Sequence, residues 1–150
     1  MELRVFPSYV RGDQVAVKGI METLRKRYFS VWSDEEQLQA GMEWAKETER
    51  GLRDIVEHGG YLVTFISRAS LESTFVRQEL EFVAAKYPGQ ILPVLLEDVG
   101  PTLSDSSLAT LHQIKLFRPD GRVDENRVDD LIIQIYYMVH KDSGGQQTAQ

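Results

Sequence analysis

Tyr61-Leu62-Val63-Thr64-Phe65-Ile66, entered through Gly59-Gly60 and left through the polar break Ser67-Arg68-Ala69-Ser70, is the stretch around which the other segments arrange themselves. A short apolar run without polar alternation is the pattern of a strand covered on both faces. Beyond the break, Ser73 is positioned to cap a helix carrying Phe75, Val76, Glu79, Leu80, Phe82, Val83 and Tyr87. At about 3.6 residues per turn, Val76, Leu80, Val83 and Tyr87 form its core stripe, and Phe75, Glu79 and Phe82 share a neighbouring one. Glu79 is thereby expected one turn from Phe75, near the carboxyl end of the strand, where open α/β sheets take their ligands.

On both sides of this stretch the chain alternates strand and helix patterns. Leu3 to Phe6 reads as a strand followed by the polar loop Pro7 to Asp13, and Asp13 is expected to cap a helix with Val17, Ile20, Met21, Leu24 and Tyr28 on one face. Phe29 to Trp32 reads as a second strand, Ser33 to Glu43 as a long acidic connection, and Trp44, Thr48, Leu52 and Ile55 as the apolar face of a helix stopped by His58-Gly59-Gly60. Ile91 to Leu96 is a fourth strand, with Pro93 acceptable only where no ladder donor is needed. After a polar loop over Glu97 to Leu111, Ile114 to Phe117 predicts a fifth strand, and Val128, Leu131, Ile132, Ile135 and Val139 a last amphipathic helix. Such alternation calls for right-handed crossovers and a parallel sheet. The predicted fold is a flavodoxin-like α/β three-layer sandwich on a five-stranded parallel sheet of order 2-1-3-4-5. Ser143 to Gln150 reads as a flexible tail, so a single domain is placed at residues 1–141 and a tail at 142–150.

Composition narrows the functions. A chain of 150 residues with 42% hydrophobic content can bury roughly 70% of its unfolded surface as one domain. A formal net charge of −6 argues against nucleic acid or anionic membrane as partner, since both reward a basic face. Cysteine is absent and His58, His112 and His140 are scattered, which leaves no metal-ligand spacing and no disulfide framework. The N-terminus lacks an apolar signal region and no stretch approaches the ~20 apolar residues of a membrane span, so a cytoplasmic domain is expected. Two usual occupants of the fold fail on residues. A phospho-receiver needs acids after the first and third strands, where Pro7-Ser8 and Ser67 stand. A mononucleotide binder needs a Gly-rich phosphate loop, and Ser8 to Asp13 holds one glycine.

Four blocks in order point to a family. Val5-Phe6-Pro7-Ser8-Tyr9 resembles the "(V/I)F(I/L)SY" opening of Toll/interleukin receptor (TIR) domains, and Trp32-Ser33-Asp34 with Gly41-Met42-Glu43-Trp44 resembles the second strand and BB loop. Leu62 to Ser67 with Ser73-Thr74-Phe75-Val76-Arg77-Gln78-Glu79-Leu80 is similar to the third strand and the "S-x-(W/F)-x-x-x-E-(L/I)" helix, and Ile91-Leu92-Pro93-Val94 to "IIPV". The resemblance spans roughly Glu2 to His140.

The resemblance implies one of two classes of function. Enzymatic TIR domains cleave the nicotinamide–ribose bond of NAD⁺ as substrate, giving ADP-ribose or a cyclised product, and serve immune or defence effectors; no cofactor is required. Their catalytic glutamate corresponds to Glu79, and Phe75 takes the place of an aromatic that stacks on nicotinamide. Tyr9 and Arg11 correspond to a loop lining the substrate site, with Val10 where several relatives carry a second basic residue. Asp34 matches the start of the BB loop and is expected among the substrate-binding residues, and Gly41, Met42 and Glu43 belong to the part that packs on a neighbouring TIR domain. Ser67 either reaches substrate or caps a turn, and Trp44 reads as a core anchor. Homotypic assembly is implied, and a sensor beyond Gln150 is expected. The other class is a scaffold that only binds TIR domains. For Glu79 the bland alternative is an exposed helix carboxylate, one of 23 acidic residues.

Overall fold

Tyr61–Ile66 forms the central strand that its pattern predicts, buried along its whole length. The computed structural model describes residues 3–27, 29–31, 44–100, 113–120 and 122–137. Their elements run β1 (Leu3–Ser8), α1 (Gln14–Lys26), β2 (Phe29–Val31), α2 (Trp44–Glu57), β3 (Tyr61–Ile66), α3 (Arg68–Glu72), α4 (Thr74–Lys86), β4 (Ile91–Leu95), β5 (Ile114–Lys115) and α5 (128–137). All ladders are parallel and the sheet order is β2-β1-β3-β4-β5, the flavodoxin-like order expected from the alternation. The order reverses between β1 and β3, which makes their carboxyl ends the switch-point crevice.

Strand alternation divides the core into two layers. On one face, Val5, Val63, Phe65 and Val94 pack against Val17, Ile20, Met21 and Leu24 of α1 and against Val128, Leu131, Ile132 and Ile135 of α5. On the other, Phe6, Leu62, Ile66, Ile91 and Leu95 meet Leu52, Ile55 and Val56 of α2 and Leu80 and Val83 of α4. These are the stripes that helical spacing marks out in the sequence.

Two prolines lie inside strands. Pro7 pairs with Val63 on the β3 side, whereas the described β1–β2 ladder covers only Leu3 to Val5. Pro93 pairs with Thr64, and β5 joins β4 only from Val94 onward. Neither missing N–H falls in a described edge ladder.

Strand limits differ at the ends. β1 continues to Ser8, two residues beyond the expected Phe6, because pairing with β3 holds Pro7 and Ser8 extended. β5 is only Ile114–Lys115, and Phe117 instead bridges Val123 in the antiparallel sense. The break after β3 contains the short helix α3, and the signal for it was local: Ser67 and Ser70 form a reciprocal capping box. The turn from α2 into β3 is a Schellman closure. Gly60 N–H donates to Ile55 O at 2.8 Å and Gly59 N–H to Val56 O at 3.2 Å, with Gly59 at φ 83°. Among the described residues no helix is long and apolar enough to cross a membrane.

Candidate active site

α4 starts where the sequence predicts, with the Ser73 hydroxyl accepting from Val76 N–H at 3.2 Å. That start, together with burial of Val76, Leu80 and Val83, sets the rotation of the helix and turns Glu79 inward. Glu79 is 8% exposed, so the reading as an exposed carboxylate is overturned. Its Oε1 accepts a hydrogen bond from Ser8 Oγ at 3.0 Å. Ser8 is the last residue of β1 and stands opposite Thr64 of β3 in the ladder. Ser8, Thr64, Ser67 and Glu79 are all buried, so a polar group collects at the carboxyl ends of the two strands flanking the switch point.

Ser67 directs the next shell of contacts. Its Oγ accepts from Ser70 N–H at 3.2 Å, and its N–H donates to Ser70 Oγ at 2.8 Å. Its hydroxyl proton goes to Asp13 Oδ2 at 2.5 Å. Of the two readings open for Ser67, the cap is therefore observed, and its proton is committed to a carboxylate. Asp13 departs from expectation. It occupies the N-cap position of α1 but makes no side-chain cap bond, because it sits at the end of a 3-10 turn with φ −96° and ψ 5°, away from the extended geometry that aims a cap at the helix. Arg68 N–H donates to Glu97 Oε1 at 2.6 Å, so the turn after β3 is tied both to the start of α1 and to the end of β4.

A groove of about 590 Å³ opens beside this cluster on the α1 side, with Asp13, Ala16, Gly19, Ile20, Ser67 and Glu97 among its walls. Glu79 is not one of them. Groove and carboxylate thus belong to opposite layers of the sandwich.

The remaining expected residues are distributed unevenly. Tyr9 follows β1 directly, is half-buried and packs against the α1/α5 layer, on the other side of the sheet from α4. Arg11 is exposed in the 3-10 turn Arg11–Asp13. Phe75 is in the first turn of α4, four residues before Glu79, and its side chain lies outside what is described. Asp34, Gly41, Met42 and Glu43 lie outside the described residues, as does the side chain of Trp44. No cluster of three or more His, Cys, Asp or Glu that could hold a metal occurs among the described residues.

Ser8 is the contributor that sequence reasoning passed over, and Asp13, expected as a helix cap, contributes through Ser67 instead. For Ser8 a signal existed, since it is two residues after the core residue Phe6 and so must share its face. Chemically, the arrangement offers one carboxylate, shielded from bulk water and held by a hydroxyl, at the end of the sheet where substrates bind.

The TIR domain family model matches residues 5–132. Among curated proteins, no relative matches the chain.

Proposed function

The chain belongs to the TIR-domain family, and from that footing we propose that it is an NAD⁺ glycohydrolase with Glu79 as its catalytic residue. The observation that carries this reading is the burial of Glu79 at the switch point, where a solvated helix carboxylate would have no reason to be. A buried carboxylate is costly to maintain, and groups kept in that condition concentrate at functional sites.

The chemistry asks little of the protein beyond that charge. Heterolysis of the C1′–N bond sends the bonding pair to nicotinamide, which leaves neutral, and a ribosyl oxocarbenium ion remains. An anion against the ribose stabilises that ion as it develops and also accepts hydrogen bonds from its hydroxyls. Water then adds at C1′ and releases a proton, so NAD⁺ and water give nicotinamide, ADP-ribose and H⁺. Capture by the adenine of the same molecule gives the cyclic product instead. Arg11, exposed beside the strand ends, is the cation assigned to the diphosphate, and Phe75 is assigned to the nicotinamide ring, both by family resemblance.

TIR domains associate with one another. For this chain we assign that association to the segment around Gly41, Met42 and Glu43, and place the protein in the cytoplasm as a defence effector switched on by assembly. The direct test is incubation of the purified chain with NAD⁺ at high protein concentration, with chromatographic detection of nicotinamide and ADP-ribose. Nicotinamide appearing with an ADP-ribose product supports the reading. Intact NAD⁺ under assembled conditions leaves the non-catalytic scaffold as the function.

A further inference from the structure

The helix that carries Glu79 does not by itself fix the carboxylate, because a glutamate side chain rotates about several bonds. What holds it comes from another element. Ser8 is 2% exposed, lies on the Phe6 face of β1, and donates from Oγ to Oε1 of Glu79 at 3.0 Å, across 71 positions of sequence. Its backbone is fastened in the β1–β3 ladder opposite Thr64, so the donor rides on the centre of the sheet. A central ladder is among the least mobile supports a fold offers.

We infer that Ser8 is the positioning residue for Glu79 in NAD⁺ cleavage, fixing one carboxylate oxygen so that the anion is already oriented when positive charge develops on the ribose. The inference rests on the glycohydrolase reading of the site. Ser8 touches neither the breaking bond nor the leaving group in this account; it acts through the carboxylate. Two physical effects follow from a hydroxyl donor at that place. Hydrogen bonding to the charged form favours the anion, offsetting the desolvation that burial imposes on it. Pre-alignment also removes the reorganisation that a free carboxylate would undergo during the reaction, and that saving is made only in the transition state. Loss of the hydroxyl is therefore expected in kcat, with KM for NAD⁺ retained. A tie that only joined β1 to α4 would be read in the melting temperature and would leave kcat alone.

The test is steady-state nicotinamide release by the full chain as wild type, Ser8→Ala and Ser8→Thr, with a melting curve for each. Ser8→Ala should lower kcat about ten- to hundredfold, the range spanned by hydrogen bonds to charged groups, with KM within about twofold. Ser8→Thr keeps the hydroxyl and should recover most of the rate. An active wild type matched by Ser8→Ala in kcat overturns the Ser8 assignment alone, and so does a loss expressed only in KM. A folded Ser8→Thr as impaired as Ser8→Ala also overturns it. A wild type that releases no nicotinamide at high protein concentration removes the glycohydrolase reading, and the assignment with it.

Discussion

Ser67 donates its hydroxyl proton to Asp13 at 2.5 Å, joining the turn after β3 to the start of α1 across 54 positions of sequence. The bond spans the switch point and its donor, Ser67, is buried, so removing the acceptor leaves a buried hydroxyl proton without its partner. Asp13→Ala is expected to lower unfolding free energy by about 1–3 kcal/mol, read from the midpoint of urea denaturation at unchanged m-value. Because α1 has no side-chain cap to lose at Asp13, the cost belongs to the tie with Ser67. A midpoint equal to that of the wild type would show the tie to be energetically idle.

Gly60 makes a second local demand. A Cβ there would stand 2.8 Å from both Arg4 O and Ile55 O, backbone atoms held by β1 and by the closure of α2. Gly60→Ala should therefore destabilise by about 1–3 kcal/mol or more, although its φ is unremarkable for an L-residue. Gly59→Ala meets open space and is strained only by its φ of 83°. Its penalty is about 1–2 kcal/mol. Parallel thermal melts check both, and full tolerance of Gly60→Ala would contradict the packing described.

How far these features were legible depends on whether their cause is local. Sheet order and both core layers follow from periodicity, which is why Val17, Ile20, Leu24, Leu80 and Val83 fell on the predicted faces. The Ser73 cap was legible because a serine ahead of a helical stripe acts on its own first turn. The capping box Ser67–Ser70 was equally local and equally readable. Asp13 was misread because a local preference for the helix terminus lost to a partner far away in sequence. The burial of Glu79 and its bond to Ser8 depend on how α4 sits over β1, a tertiary relationship that one sequence's spacing does not carry.

The edge of the molecule carries a pH-sensitive pair. Arg4 of β1 donates to Asp54 of α2 at 2.8 Å, and His58 Nδ1 lies 3.3 Å from the same carboxylate. The hydrogen bond from Arg4 is the main cause holding the Asp54 carboxyl below its ordinary value of 3.8, with the charges of Arg4 and His58 adding to it. A depressed folded value means that the contribution is present above the unfolded value and lost as pH falls through the folded one. The pair is exposed, so the effect is small and screened by salt. The difference in denaturation midpoint between wild type and Asp54→Asn should be visible at neutral pH in low salt and vanish in acid, once the pH has fallen through the depressed folded value. A difference that grew in acid would reverse the assignment.

Assembly gives a further expectation for the proposed enzyme. A site completed by a neighbouring TIR domain exists only in the assembled fraction, so specific activity should rise steeply over about a hundredfold range of protein concentration. Gly41→Pro, in the segment assigned to assembly, should abolish that rise while melting stays as in wild type. Light scattering recorded beside the rate is the check. A flat profile from a monomer would show one chain to hold the complete site.

If the charge on Glu79 drives cleavage of the nicotinamide–ribose bond, Glu79→Gln isolates it by keeping size and hydrogen-bonding reach while removing the anion. Nicotinamide release from NAD⁺ is measured for both proteins at equal, high concentration, after melting curves have shown both folded. Glu79→Gln is expected to release nicotinamide more slowly than the wild type, by about a hundredfold or more. Equal rates in the two proteins, or no release from either, would contradict it.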